Sequence, residues 1–157
     1  MNSDQGLIQL QSLNLPPIEP RLQEKDGKML IFDALRKKYL SLTPEEWVRQ
    51  HWISFLIKTL NFPKGLLALE RGLKYNQLQK RTDLVVWDKE GNPYLLIECK
   101  APQIKLTQKT IEQACLYNKQ LQTKFLILTN GIQHISLSWD GKNQNFNQLK
   151  DFPVPPK

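Results

Sequence analysis

The chain has 157 residues, of which 40% are hydrophobic, and this length and composition are typical of one globular domain that folds without disulfides. Its formal charge is +7, and positions 36 to 124 hold sixteen basic and eight acidic residues, so the excess lies in the middle of the chain and indicates a polyanionic partner. The chain has only two cysteines, which argues against a disulfide-rich secreted scaffold and a zinc site. Its N-terminus is polar, and no apolar stretch approaches the ~20 residues of a membrane span. These features predict a soluble, cytoplasmic protein.

Both ends of the chain are rich in proline. Six of the ten prolines are Pro16, Pro17, Pro20, Pro153, Pro155 and Pro156. Because proline fixes its backbone and removes a hydrogen-bond donor, we expect residues 1–30 to form an extended segment and residues 142–157 to form a tail. The folded domain is then expected over residues 31–141.

The first strong helix signal is the run Thr43-Pro44-Glu45-Glu46. Thr43 can cap the helix, proline suits its first position, and Glu46 completes a capping box. Apolar residues then recur every three to five positions, which predicts a helix ending near Leu60 with one face towards a core. They are Trp47, Val48, Trp52, Phe55, Leu56 and Leu60.

Three strands are predicted next. Alternating apolar residues over 67–75 indicate the first of them. Two almost continuous apolar runs, 83–87 and 94–99, flank a turn-forming segment and predict a hairpin whose two faces are both covered.

The rest of the chain predicts a crossover and one more strand. A helix is expected from Thr107 or Gln108 to about Leu121, followed by a strand over 125–128. A strand, a helix and a strand in this order favour a right-handed parallel connection. A further strand over 134–139 is expected at the sheet edge. The predicted fold class is α/β in the α+β sense, a mixed sheet with helices packed on it.

The hairpin brings three charged side chains together. A turn centred between Glu90 and Gly91 pairs residues whose numbers sum to 181, so Asp83 lies opposite Glu98, and Lys100 points the same way. A register slip of one residue would move Glu98 to the other face of the sheet. Charged groups at the ends of such apolar strands need compensation, either from solvent and an ion pair with Lys100 or from a divalent metal such as Mg²⁺.

Asp83 followed by Glu98-Cys99-Lys100 resembles the PD-(D/E)xK nuclease signature, with Thr82 in the place of its proline. Over about residues 31–140 the chain also resembles the type I restriction enzyme R-protein N-terminal domain family. The blocks that carry this resemblance are Thr43-Pro44-Glu45-Glu46-Trp47-Val48-Arg49-Gln50, Lys80-Arg81-Thr82-Asp83, Glu98-Cys99-Lys100-Ala101-Pro102, Gln113-Ala114-Cys115-Leu116-Tyr117-Asn118 and Leu128-Thr129-Asn130-Gly131.

The resemblance implies a restriction-endonuclease-like αβββαβ core with an added edge strand, and Mg²⁺-dependent hydrolysis of DNA phosphodiester bonds, with Mn²⁺ as a substitute. Asp83 and Glu98 would bind the metal, and Lys100 would lie beside the attacking water. Glu46 would be a further catalytic carboxylate and metal ligand, although its place in the capping box explains it equally well. Glu45 is the less favoured alternative.

Gln113 and Tyr117 lie four residues apart on one helix face and match the Gln-x-x-x-Tyr motif of type I restriction nuclease domains. The resemblance implies that they contact DNA or brace the site, whereas an exposed amide and a half-buried aromatic explain them without a function. Arg81 is a candidate phosphate contact or an ordinary surface charge. The same alternatives apply to the candidate backbone-binding residues Lys105, Lys109, Lys119 and Lys124.

The leading hypothesis is a metal-dependent DNA endonuclease domain that works without a motor, since the chain has no Walker A sequence. Its expected partners are DNA and separately encoded restriction–modification subunits, and a homo-oligomer is compatible with the sequence. The alternative is a nucleic-acid-binding or assembly module that retains the nuclease fold without turnover. A third hypothesis is an interaction domain that binds no nucleic acid.

Overall fold

The computed structural model describes residues 10–67 and 83–157. These residues form an α+β fold with a three-stranded antiparallel sheet and a five-stranded mixed sheet, which confirms the predicted fold class. The first sheet and the helix after it are β1 (Leu22–Lys25), β2 (Lys28–Asp33), β3 (Lys38–Ser41) and α1 (Pro44–Ser54). The remaining elements are β4 (Leu84–Trp87), β5 (Pro93–Cys99), α2 (Gln108–Leu121), β6 (Phe125–Thr129), β7 (His134–Asp140) and β8 (Asn145–Leu149).

The three-stranded sheet lies partly within residues 1–30, which were expected to form an extended segment, so the prediction did not include this sheet. Strands β1 and β2 are joined by Asp26 and Gly27, which both have positive φ angles. Such a pair favours a two-residue hairpin turn. Every residue of β1 is exposed, so the strand has no hydrophobic alternation to reveal it, and the turn is its main sequence signal.

Helix α1 begins as predicted. The backbone N–H of Glu46 donates to Thr43 Oγ1 at 3.0 Å. The capping box is only half formed, because the N–H of Thr43 donates to the Ser41 carbonyl instead of to Glu46. A π-helical segment, Phe55–Thr59, continues α1 to Leu60, where the helix was expected to end. In the part of the chain that the structure describes, no helix is long and apolar enough to cross a membrane.

The hairpin of β4 and β5 has the predicted register. Leu84 pairs with Ile97 and Val86 pairs with Leu95, so the numbers sum to 181 over the paired strand. A bulge after Val86 shifts the pairing next to the turn by one residue, which leaves the register at the far end unchanged. The predicted register is therefore confirmed from Leu84 to Val86, and its extension by one residue places Asp83 opposite Glu98.

Strands β5 and β6 are parallel, as the connection through α2 predicts, and β7 runs antiparallel to β6. The prediction that β7 lies at the sheet edge is wrong, because β8 pairs along its outer side. Strand β8 falls within the expected C-terminal tail, and the turn before it is stabilised by Asp140, whose side chain accepts hydrogen bonds from the next backbone amides. Of the strand predicted over 67–75, Leu67 ends a 3-10 turn and the rest lies outside the described residues.

The five-stranded sheet separates two hydrophobic clusters, which confirms that both faces of the hairpin are covered. On the α1 face the buried residues include Val48, Trp52, Leu56, Leu84, Val86, Leu95, Ile97 and Cys99. On the α2 face they are Val85, Trp87, Leu96, Ala114, Leu126, Leu128 and Leu137. Because side chains alternate along a strand, Cys99 belongs to the α1 face and Glu98 to the α2 face.

Candidate functional site

The ends of β4 and β5 carry the predicted charged residues. Asp83 is fully buried directly before β4, and the ladder register continues to place it opposite Glu98. Glu98 is only 4% exposed, and its Oε1 lies 3.0 Å from Lys100 Nζ. The side chain of Lys100 is 17% exposed. The structure thus brings a carboxylate and an ammonium into contact at the end of β5, next to the strand that Asp83 precedes.

The second oxygen of Glu98 is not satisfied by the described protein atoms. Oε2 is buried and has no hydrogen-bond partner among them. A buried carboxylate oxygen without a partner costs about 1–3 kcal/mol or more. Asp83, Glu98 and Lys100 thus place two carboxylates and one ammonium at the ends of the two strands. Carboxylate oxygens are hard donors, which fit a divalent cation such as Mg²⁺.

Within the described ranges, no group of three or more His, Cys, Asp or Glu side chains is arranged to hold a metal ion. Asp83 and Glu98 are the leading candidate ligands, and the assignment of Glu46 as a further ligand and catalytic carboxylate stays a prediction. Two carboxylates are sufficient for Mg²⁺, which usually keeps several water molecules and completes its coordination with substrate phosphate oxygens.

Glu46 lies in a buried ion cluster. Its Oε2 accepts from Arg49 Nη1 at 3.1 Å and from Gln50 Nε2 at 3.2 Å. Arg49 Nη1 also lies 2.6 Å from Asp33 Oδ2, so the cluster joins β2 to α1. Burial raises the pKa of Glu46 despite the opposing charge of Arg49. For Asp33 burial also acts to raise the pKa, but the charge and hydrogen bond of Arg49 outweigh it and the pKa is lowered.

Arg49 and Asp33 were not predicted as members of this cluster. Both are fully buried. The available signal was the position of Arg49, three residues after Glu46 on a helix whose neighbouring positions are buried. A charged residue on such a face needs a buried partner. Its partner Asp33 could not be identified, because it lies sixteen residues away on a strand that the sequence did not reveal.

Cys99 links the two groups of charges electrostatically. Burial raises the pKa of its thiol well above the ordinary value, and the negative charges of Asp83, Glu46 and Glu98 add to this effect. The positive charge of Arg49 opposes them. The thiol is consequently neutral and unreactive, and charges from both faces of the sheet act on this one position at the end of β5.

Thr129 supports the end of β5 from the neighbouring strand. Its carbonyl accepts from the backbone N–H of Lys100 at 2.8 Å. Its hydroxyl accepts from Trp52 Nε1 at 3.0 Å and from the Gly131 N–H at 2.9 Å, and it lies 2.7 Å from His134 Nδ1. This buried hydroxyl connects the site strands to α1. The sequence does not reveal this role, because a threonine in a strand is common without it.

The other predicted site residues lie on α2 or outside the described residues. Gln113 is exposed on α2, and Tyr117 is half-buried against the α2-side cluster. Arg81 lies outside the described residues. The four candidate phosphate-binding lysines are all exposed, namely Lys105, Lys109, Lys119 and Lys124.

The family model described as type I restriction enzyme R protein N terminus (HSDR_N) matches residues 44–153. The match begins at the first residue of α1 and includes the hairpin, α2 and β6 to β8. Searches of curated proteins and of solved structures return no significant match. Because the family match covers more than two thirds of the chain, the protein belongs to the type I restriction enzyme R protein N-terminus family.

Proposed function

We propose that this protein is a Mg²⁺-dependent DNA endonuclease domain that hydrolyses phosphodiester bonds in a restriction–modification context. The observation that carries the proposal is the arrangement of Glu98, with one oxygen 3.0 Å from Lys100 Nζ and the other buried without a described partner, opposite the register position of Asp83. Membership of the R-protein N-terminus family supports the same activity class.

In this proposal Asp83 and Glu98 would hold Mg²⁺ through their carboxylate oxygens. When bound, the ion would supply Lewis-acid stabilisation of a phosphate and a water of lowered pKa. Glu98 also orients Lys100 through their ion pair. The ammonium of Lys100, which is partly exposed, donates to a non-bridging phosphate oxygen and stabilises the charge that develops there.

The fixed backbone contributes to catalysis by limiting the movement of these groups. Glu98 pairs with Leu128 inside the parallel ladder, and the Lys100 N–H is held by the Thr129 carbonyl. Groups held in place before the substrate arrives lose little freedom in the transition state, which favours the reaction. Tyr117 and Gln113 are proposed to brace the site or contact DNA from α2.

DNA is the proposed substrate because the chain carries a formal charge of +7. The exposed lysines near α2, Lys105 and Lys109 among them, are proposed to contact the phosphate backbone without reading the base sequence. Separately encoded restriction–modification subunits are the proposed protein partners, and they would supply any motor or sequence recognition.

The test compares DNA cleavage by the wild type, Asp83→Asn, Glu98→Gln and Lys100→Ala in Mg²⁺ and in EDTA. We expect the wild type to cut DNA only with the metal, and each variant to lose at least about a hundredfold in rate. Asp151→Asn is the matched control, because Asp151 is an exposed carboxylate near the C-terminus. Equal rates in Glu98→Gln and Asp151→Asn would refute the assignment.

Binding assays separate cleavage from the alternative of a non-catalytic module. The proposal requires Mg²⁺-dependent cleavage of at least one DNA among linear, supercoiled, single-stranded and branched substrates. Tight, salt-dependent binding without cleavage of any of them would favour a binding or assembly module instead. Absence of binding at low salt would favour an interaction domain that does not use nucleic acid.

A further inference from the structure

Two exposed isoleucines lie on the loops that leave the site strands. Ile104, after β5, is 43% exposed, and Ile132, after β6, is 41% exposed. Because β5 and β6 are parallel neighbours, both loops begin at the same end of these two strands. Glu98 and Lys100 lie at this same end of β5, so both loops begin at the end of the sheet that carries the candidate site.

Asn130 holds these two loops together. Its Nδ2 donates to the Ile104 carbonyl at 2.8 Å, and its Oδ1 accepts from the Ile132 N–H at 2.9 Å. The Ile104 N–H also donates to the Ala101 carbonyl at 3.0 Å. One buried amide therefore fixes both isoleucines relative to each other. A single exposed aliphatic residue needs no explanation. Two of them, held by one buried amide at the end of the site strands, are the observation on which the following proposal rests.

The charges around this pair favour a polyanion as the partner. Lys105 is exposed beside Ile104, and Lys100 is partly exposed at the base of the same loop. The carboxylates of Asp83 and Glu98 are recessed, with exposures of 0% and 4%. A local deformation of the DNA would bring a phosphate closer to these recessed groups than an undistorted duplex does.

We propose that Ile104 and Ile132 form an apolar wedge that inserts against a base step beside the scissile phosphate and unstacks it. Aliphatic side chains that insert between base steps kink DNA, at a cost of a few kcal/mol per step that other contacts offset. Here the kink brings the phosphate towards the recessed carboxylates of Asp83 and Glu98, and Lys105 contacts a neighbouring phosphate. This inference rests on the proposed function and specifies how that site engages its substrate.

The test uses the double variant Ile104→Ala/Ile132→Ala and two duplexes, one fully paired and one with a short mismatched bubble. We expect the double variant to cut the paired duplex roughly tenfold more slowly than the wild type, and to cut the bubble at nearly the wild-type rate, because its bases are already unstacked. Val154→Ala is the matched control, since Val154 is a 70% exposed aliphatic residue near the C-terminus. Both altered positions are partly exposed, so the double variant should remain folded, which circular dichroism checks.

A second measurement uses DNA binding without turnover. The Lys100→Ala variant is bound to duplexes that carry 2-aminopurine at successive positions. The 2-aminopurine fluorescence should rise at one base step. It should not rise when Ile104 and Ile132 are also replaced by alanine. Failure of the wild type to cut either duplex would refute the proposed function, while a fluorescence rise that depends on the isoleucines would still support the wedge. Three results would overturn the wedge. The double variant could cut both duplexes at the rates of Val154→Ala, it could lose the same factor on both duplexes, or the fluorescence could fail to rise.

Discussion

Asp33→Asn tests the buried ion cluster that joins β2 to α1. Asp33 is fully buried, and its Oδ2 lies 2.6 Å from Arg49 Nη1 and 3.2 Å from Arg36 Nη1. Its Oδ1 accepts from the Leu35 N–H at 2.8 Å, a bond that asparagine can keep. The substitution therefore removes the charge with little change in shape. Among the described residues, Glu46 is then the one charged partner that remains for the buried Arg49.

The expected loss follows from leaving a buried guanidinium partly uncompensated. Removing one partner of a buried ion pair costs about 3–5 kcal/mol. With a urea m value of about 2 kcal/mol/M, the midpoint of unfolding should fall by about 2 M, and the m value should not change because the same surface is exposed. The control Asp151→Asn alters an exposed carboxylate and should stay within about 0.5 kcal/mol of the wild type.

The pH dependence gives a second check on the same substitution. The pKa of Asp33 is below its ordinary value of 3.8, because Arg49 more than offsets the effect of burial. Its ionised form therefore contributes stability above that value, and the contribution is lost as the pH falls through the lower folded pKa. The difference between wild type and Asp33→Asn should be constant near neutrality and shrink below about pH 4. A difference under about 1 kcal/mol at pH 7, or one that persists in acid, would refute the reasoning.

Three further predictions concern the support of the site. Thr129→Val leaves the N–H groups of Trp52 and Gly131 without their acceptor, so the free energy of unfolding should fall by about 2–4 kcal/mol in urea titrations, and less in Thr129→Ser. Gly131→Ala places a methyl group 2.9 Å from Leu13 Cδ2 on a backbone with φ +86°, and should cost about 1–3 kcal/mol in thermal unfolding. Burial lowers the pKa of His134, so stability should fall as the pH drops through its ordinary value of 6.5, and His134→Gln should reduce that slope.

Each of these predictions has a direct control. Gly65→Ala places its methyl group in open space and should leave the melting temperature nearly unchanged. For His134, the unfolded chain binds the proton more readily than the folded one, so a stability that rises between pH 7 and pH 5 would contradict the argument. A larger loss in Thr129→Ser than in Thr129→Val would show that the methyl group, not the hydroxyl, stabilises the site.

The hairpin and its charged end could be predicted because their signals are local. Two apolar runs flank one glycine-containing turn, and the position of that turn determines the register. The bulge after Val86 was not predictable, yet it does not disturb the argument because it lies on the turn side of Leu84. The prediction that Asp83 lies opposite Glu98 thus depended on the pairing within one hairpin and not on contacts between residues distant in sequence.

The surroundings of the site could not be predicted in the same way. The pairing of Asp33 with Arg49 depends on the docking of β2 against α1, and no periodicity of either segment specifies it. Strand β8 alternates weakly, with exposed residues at three of its five positions, so its pairing with β7 depends on the turn at Asp140. Long-range contacts between polar residues leave little trace in a single sequence.

The charge balance of the described residues separates two roles for the carboxylates. Around Arg49 and Arg36, the carboxylates of Glu46 and Asp33 are matched by an equal number of positive charges. At the strand ends, Glu98 has one oxygen paired with Lys100 and one buried oxygen without a described partner. The proposed cation would therefore bind at the strand ends rather than at the balanced cluster.

It follows that metal binding and stability should respond to different substitutions. Glu98→Gln removes a proposed ligand, so calorimetric titration with Mn²⁺ should show an affinity at least about tenfold lower. Asp33→Asn, kept folded at low temperature and checked by circular dichroism, should bind Mn²⁺ within about threefold of the wild type, because its cost is confined to unfolding. Loss of Mn²⁺ binding in folded Asp33→Asn would instead place Glu46 among the metal ligands, since the balanced cluster would then control the site directly.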